Sequence, residues 1–191
     1  MRMTHYQWEN YFNSANEFCI SKSYAILREN CNFHSHDFIE ICYVSSGKGT
    51  HLVNEKEFRV TKGDLFIIRY NMMHTFFREI DDSDDLIVYN ILFKPSFLDQ
   101  ILGGLVDFDF TLLPTSFLFH DIESPATDKL DLSLNVDEQM DVDDILNKIY
   151  LEFSLQPNGH CSMIRAYMIQ FIIMIIRAIS NKEISQKDTI R

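Results

Sequence analysis

Three histidines and a glutamate lie close together in the first half of the chain, at spacings that limit how this segment can fold. His34 and His36 are separated by one residue, Glu40 follows, and His74 comes after a short turn-like stretch at residues 70–73. Because side chains alternate along a strand, His34, His36 and Glu40 share one face if their segment is a continuous strand. A strand that restarts at His74 brings this histidine to the same interior. The spacing therefore predicts four convergent polar side chains.

The surrounding chain has the pattern of an antiparallel barrel or sandwich. Short apolar runs between residues 38 and 93 are separated by turn-forming residues at 45–49, 54–57 and 61–64. Strands separated by tight turns at intervals of about ten residues are typical of such folds. A length of 191 residues fits one core with an appended segment.

Helical periodicity replaces this alternation in the last third of the chain. One face of the first predicted helix is apolar: Val142, Ile145, Leu146, Ile149 and Phe153. Asn135 or Asp141 can cap its start. Pro157, Asn158 and Gly159 end the helix, and a second helix is predicted from about Cys161 to Ser180.

The second predicted helix is apolar almost all round. Arg165, Gln170 and Arg177 interrupt its apolar run, which favours burial in protein over a membrane span of about twenty apolar residues. Some of its apolar side chains fall outside the stripe that one neighbour would cover, and such patches usually mark contacts. The residues predicted to form a homodimer contact are Ile169, Ile173, Met174 and Ile176.

Charge and the first residues limit the partners and the compartment. The formal net charge is -11, and this charge repels the phosphate backbone of DNA. We therefore expect no DNA binding by this chain alone. Residues 1–16 are polar and aromatic, without the basic start and apolar stretch of a secretory signal, so a cytoplasmic protein is expected.

The spacing of the four polar residues resembles that of the cupins. The first cupin motif runs H-x-H, three residues, E, six residues, G, and His34, His36, Glu40 and Gly47 match it. The second motif is matched by Gly63 and His74, but Arg69 and Asn71 replace its proline and second glycine. Arg28 stands where a glycine is expected before the first histidine. These departures affect turn positions and leave all four polar residues in place.

A narrower resemblance covers residues 34–68, which look like the amino-terminal effector domain of AraC-type transcription regulators. The resemblance implies a mainly β fold, a cupin-type antiparallel β-barrel (double-stranded β-helix) followed by a C-terminal α-helical hairpin that forms a dimer contact. The hairpin is matched by Glu152, Pro157, Gly159, Arg165 and Arg177.

The same resemblance implies a division of the chain. Residues 1–16 form an arm, residues 17–135 the effector-binding barrel with an irregular extension, and residues 136–180 the helix pair for dimerisation. Residues 181–191 look like the start of a linker to a missing helix-turn-helix part, through which alone the regulator would contact DNA.

Three interpretations of His34, His36, Glu40 and His74 remain open. They can bind a small polar effector, with a sugar as the family-level expectation, and then no cofactor is required. They can hold a divalent metal (Zn, Ni, Fe or Mn), as in metal-dependent cupin oxygenases or isomerases. They can also be purely structural. The resemblance to regulators favours the effector pocket and a protein that is not an enzyme.

Secondary candidates for the pocket are each explained more simply as sheet or surface residues. They are Arg69, Tyr43, Thr50, Asn90 and Arg78. The resemblance also implies that Trp8 and Tyr11 close the mouth of the barrel if the arm folds over it.

Overall fold

The computed structural model describes residues 3–12, 17–80, 84–103 and 132–189. The irregular extension predicted at the end of the barrel therefore lies largely outside the described residues, as do the ends of the predicted arm and of the predicted linker. The described chain divides into two compact units. The first runs to residue 98 and includes residues 132 and 133, and the second contains residues 99–103 and 134–189.

Two β-sheets form the first unit. Their strands are β1 (Met3–Tyr6), β2 (Phe18–Tyr24), β3 (Ile26–Leu27), β4 (Phe33–His36), β5 (Ile39–Ser46), β6 (Lys48–Val53), β7 (Lys56–Thr61), β8 (Asp64–Ile68), β9 (His74–Arg78), β10 (Ile87–Phe93) and β11 (Leu132–Ser133). The first sheet has the order β1-β4-β9-β6-β7, with β3 paired to β9, and the second has the order β11-β8-β5-β10-β2.

The two sheets pack face to face around an apolar core. Cys42 and Phe66 from the second sheet meet Val60 and the half-buried Phe76 from the first. The opposite face of the second sheet is also buried, because Ile41 is completely inaccessible to solvent although it alternates with Cys42 along β5. A strand with both faces buried has apolar residues at successive positions, which explains why β5 shows no polar alternation.

The segment of His34, His36 and Glu40 is not one strand. Two bends at Asp37 and Phe38 separate β4 in the first sheet from β5 in the second. The prediction that a continuous strand points these side chains to one side is therefore wrong. They converge because the chain crosses from one sheet to the other, so that the histidines and the glutamate approach the interior from different sheets.

The amino-terminal residues extend the first sheet. β1 pairs in parallel with β4, with Thr4 opposite His34 and Tyr6 opposite His36. The next turn is fixed by the backbone N–H of Trp8, which donates to Asp37 Oδ1 at 2.7 Å. Residues 3–12 thus pack against the strand that carries two of the predicted site histidines.

Three α-helices follow the sheets: α1 (Pro95–Leu102), α2 (Val136–Leu155) and α3 (His160–Thr189). Asn135 caps α2 through a reciprocal capping box with Glu138, so Asn135 and not Asp141 starts this helix. Gln156 in the left-handed conformation ends α2, and α2 and α3 pack as a hairpin. α3 continues beyond the predicted end at Ser180. The predicted class, a mainly β cupin-type barrel followed by a helical hairpin, is confirmed.

The apolar character of α3 is also present in the structure. Within the part of the chain described, His160–Asn181 is a stretch long and apolar enough, by length and composition alone, to cross a membrane. The core helix of a soluble protein passes the same test.

Candidate functional site

A turn between β8 and β9 delivers His74 to the site. Asn71 adopts a left-handed conformation with φ of 61°, at the position where the cupin motif has a glycine. Asparagine tolerates this conformation better than most other residues, which explains how the turn forms without glycine. The backbone N–H of Asn71 donates to the carbonyl oxygen of His36 at 2.8 Å, and His74 opens β9 directly opposite His34.

The four predicted side chains meet in the interior of the first unit. Glu40 Oε2 lies 3.0 Å from His36 Nε2 and 3.3 Å from His74 Nε2. The ring centroids of His34 and His74 are 4.4 Å apart. Glu40, His36 and His74 are buried, and His34 is half-buried. The structure therefore brings together all four residues that the spacing singles out.

Several ring nitrogens of this group lack hydrogen bonds. His36 Nδ1 contacts the carbonyl oxygen of Phe38 at 2.9 Å. By contrast, His36 Nε2 and both nitrogens of His74 have no partner of hydrogen-bond geometry among the described residues, although both Nε2 atoms lie within ion-pair distance of Glu40. A buried polar group left unsatisfied costs about 1–3 kcal/mol, so such groups call for an explanation, and a bound molecule is one.

Burial and the two imidazoles act in opposite directions on Glu40. Burial alone raises the pKa of the carboxyl group, but the attraction of His36 and His74 outweighs it and holds the pKa well below its ordinary value. Burial, reinforced by the negative charge of Glu40, raises the pKa of the Cys42 thiol well above its ordinary value. Glu40 is therefore the fixed negative charge of the site.

The rim of the site is aromatic. The ring of Tyr6 lies 5.1 Å from that of His34, and Tyr11 lies 5.7 Å from Tyr6 and 5.3 Å from Phe38. Burial raises the pKa of Tyr11 to about 12, and the proximity of Tyr6 and Glu40 contributes to this increase. Burial and the proximity of His74 lower the pKa of His34 to about 4. Tyr11 thus lies beside the site, whereas the ring of Trp8 lies under the ammonium group of Lys94 at 3.3 Å.

His51 on β6 joins the group and was missed by the sequence analysis. Its side chain is completely inaccessible to solvent, and its ring centroid is 5.7 Å from that of His74. Neither of its ring nitrogens has a hydrogen-bond partner among the described residues. Burial and the proximity of His74 lower its pKa well below the ordinary value. The signal that could have found it is a histidine at an inward position of a predicted strand.

The secondary candidates do not form one group. Asn90 lies opposite Cys42 on the inner face of the second sheet and donates to Ser23 Oγ at 3.0 Å. Tyr43 alternates with Cys42 and so faces the other way. Thr50 faces away from His51 and accepts a hydrogen bond from Arg59 at 3.2 Å. Two further candidates are half-buried arginines, Arg69 and Arg78.

Three of the four residues also have the geometry of a metal-binding group. One potential ligand atom from each of His34, Glu40 and His74 lies within 4.8 Å of the other two. Two imidazoles and a carboxylate form a donor set that suits Zn²⁺ or Fe²⁺. His36 is not part of this closely spaced set, so the structure groups three of the four predicted ligands.

Comparison with known proteins places this chain in a family. Residues 17–126, more than half of the chain, match the family model described as the AraC-like ligand binding domain. The HTH-type transcriptional activator RhaR of Salmonella choleraesuis (strain SC-B67) is 39% identical over 62 residues, which cover 32% of this chain and 21% of that protein. The RhaR of Salmonella newport (strain SL254) gives the same values. The chain therefore aligns with only about a fifth of the length of these relatives.

Among solved structures, this chain is similar to apo ToxT from Vibrio cholerae strain SCE256, in a lysine-to-alanine variant. The similarity covers 85% of this chain and 56% of the ToxT chain. The TM-score is 0.55 and the sequence identity is 12%, so this likeness concerns the fold. A cupin protein from Bacteroides fragilis is 19% identical in sequence, with a TM-score of 0.37. The match covers 50% of this chain and 75% of the cupin chain. Because the family model matches more than half of its residues, the chain belongs to the AraC-like ligand binding domain family.

Proposed function

We infer that the first unit binds a small, polar effector molecule between its two sheets, as the sensing domain of a cytoplasmic AraC-type regulator. One observation carries this proposal: His36, Glu40 and His74 form a buried polar group in which His74 Nδ1 has no partner among the described residues and the two Nε2 atoms have none besides the carboxylate of Glu40. Ligand pockets are mostly apolar, with a few placed polar groups that fix orientation. A sugar fits this description.

The effect of the ligand on DNA would pass through a helix-turn-helix part outside this chain. Ligand binding can shift such an equilibrium only if the ligand prefers one of two states. The net charge of -11 supports the view that this chain does not contact DNA itself. The proposed role is therefore sensing and dimerisation, without catalysis.

Thermal unfolding in the presence of neutral monosaccharides tests the proposal. The panel consists of D-ribose, D-xylose, D-glucose, D-galactose, D-mannose and L-fucose, with D-glucuronate and D-galacturonate as charged counterparts. A ligand at a hundred times its Kd stabilises a protein by about 2.7 kcal/mol, which raises Tm by about 5–10 °C for a chain of this size. We expect at least one neutral sugar to produce such a shift. No shift with any member of the panel would contradict the proposal.

A divalent metal is a second candidate occupant, favoured by the close spacing of potential ligand atoms from His34, Glu40 and His74. Bound there, the ion would supply Lewis-acid chemistry, the basis of the alternative as a metal-dependent cupin enzyme. Elemental analysis after purification without a nickel column is the test. If the metal is resident, we expect about one ion per chain, and chelation with EDTA lowers Tm. Sub-stoichiometric metal and an unchanged Tm would contradict this candidate and leave the effector.

The helical hairpin is proposed to form a homodimer through α3. Ile169, Ile173 and Met174 are half-buried within one chain and so retain apolar surface that a second copy can cover. Ile176, also predicted at the contact, is 6% exposed and offers little surface. A twofold antiparallel pairing of α3 is the natural arrangement, because such an interface closes on itself.

Replacing Ile173 by Glu is expected to convert a dimer into a folded monomer, because a partly exposed carboxylate disrupts the contact but remains hydrated at the monomer surface. Ile176→Glu is the matched control, and it is expected to destabilise the fold by several kcal/mol, because it buries an unpaired charge. Sedimentation combined with circular dichroism measures both effects. A wild-type chain that sediments as a monomer at micromolar concentration would refute the dimer.

A further inference from the structure

The polar imidazole ring of His51 lies at a position of the barrel whose neighbours are apolar. It lies on β6 directly opposite Phe76 on β9, and the two rings stack at 3.9 Å with an angle of 5°. From the second sheet, Phe66 approaches the same ring edge-on at 4.6 Å. An aromatic hydrocarbon side chain would make both contacts equally well. The packing of His51 therefore does not explain why two ring nitrogens are present there.

Sheet register connects His51 to the predicted site. On the paired strands β6 and β9, His51 is opposite Phe76 and Val53 is opposite His74, so the two histidines are diagonal neighbours on one face. His34 continues the same row, because it pairs with His74 on the other side. The row of imidazoles thus crosses three adjacent strands, and His51 extends the polar site away from His34.

The buried polar groups select a class of ligand. In the described part of the chain, the buried polar residues are Ser35, His36, Glu40, Thr50, His51, His74 and Thr75, of which Thr50 faces away from His51 and does not line the site. This set has a carboxylate but no lysine or arginine, so an anionic ligand would meet the negative charge of Glu40 without a compensating cation. A hydroxyl group both donates and accepts, and it matches an imidazole, whose two nitrogens offer a donor and an acceptor.

We propose that His51 is a specificity-determining residue of the ligand pocket, which hydrogen-bonds one hydroxyl group of a neutral, polyhydroxylated ligand while Glu40 and His74 bind others. This proposal rests on the effector-binding function inferred above. It assigns the two unpartnered nitrogens of His51 to the ligand. The ligand is then bound at two points of one row of side chains, His51 and His74. The protein would therefore distinguish ligands by the distance between their hydroxyl groups.

The experiment compares sugar-induced thermal shifts of the wild-type chain with those of His51→Leu and His51→Gln, using the same panel of neutral sugars and uronates. Leucine keeps an apolar side chain of similar volume against Phe76 but removes both nitrogens, and we expect at least a tenfold loss of affinity with an unliganded Tm equal to or above that of the wild type. Glutamine keeps a donor and an acceptor in another geometry, and it is expected to change the rank order of the sugars. Thr50→Val, on the outer side of the same strand, is the matched control and should keep wild-type affinity.

The outcomes separate the two proposals. Sugar binding by the wild type that survives in His51→Leu within twofold overturns the role of His51 and leaves the effector-binding function standing. If His51→Leu does not fold, unchanged affinity and rank order in His51→Gln overturn the role equally. Stabilisation by the uronates but by no neutral sugar overturns the ligand class, and no shift with any panel member overturns both proposals.

Discussion

Replacing Gly47 by Ala is expected to lower the free energy of unfolding by about 3 kcal/mol or more, the sum of a left-handed backbone cost and an overpacking cost. Gly47 has a φ of 79° in the turn between β5 and β6. A Cβ atom there would lie 2.6 Å from the carbonyl carbon of Asp85 and 2.9 Å from the Cα of Leu86, and it would also overlap the carbonyl oxygen of Asp85. All of these are backbone atoms, so neither neighbour can move aside by a rotamer change. Urea unfolding followed by circular dichroism measures the loss.

Gly159→Ala is the matched control for this prediction. Gly159 has a φ of 86° in the turn between α2 and α3, but nothing lies within 4 Å of a Cβ atom built on it. Its substitution should therefore cost only the left-handed conformation, about 1–2 kcal/mol. Equal losses in the two variants would show that the close approach of Asp85 is not what requires glycine at position 47.

The features that sequence analysis predicted are those coded by local patterns. The end of α2 was predicted because Pro157 and Gly159 follow it directly, and Asn135 was one of the two predicted caps. The return of His74 to the site was predicted because the turn between β8 and β9 is short. In each case the residues that determine the structure lie within a few positions of one another.

The features that were missed depend on pairing between distant segments. His51 is next to His74 because β6 pairs with β9, although β7 and β8 lie between them in the chain. The parallel pairing of β1 with β4, which brings Tyr6 to His34, likewise has no local signature. The bends at Asp37 and Phe38 contradicted the one-strand interpretation, yet the same four residues converged. The cupin-like spacing is thus informative even where the parity argument fails.

Glu40→Gln is expected to destabilise the first unit by about 1–3 kcal/mol, the cost of leaving buried polar groups unsatisfied. The carboxylate lies 3.0 Å from His36 Nε2 and 3.3 Å from His74 Nε2, and the side chain is 7% exposed. Glutamine has a similar shape but no charge, so this attraction is lost. Sugar-induced stabilisation should disappear in the same variant, since Glu40 is one of the proposed recognition points.

The pH dependence of the same variant gives a second, independent measurement. Because the folded pKa of Glu40 is held well below the ordinary value of 4.5, the unfolded chain takes up this proton first as the pH falls. The stability that the ionised carboxylate contributes is therefore fully present above about pH 4.5, and it is lost as the pH falls through the folded pKa. The difference in unfolding free energy between wild type and Glu40→Gln should narrow below that pH.

Glu57→Gln is the control for both measurements, because it makes the same change at an ion pair with Arg28 whose side chains are about half exposed. Solvent screens that pair, so a much smaller change is expected. If the wild type and Glu40→Gln differ by the same amount at every pH, folding does not shift the pKa of Glu40. The stabilising attraction between its carboxylate and the imidazoles, and with it a site organised around one buried negative charge, would then have to be abandoned.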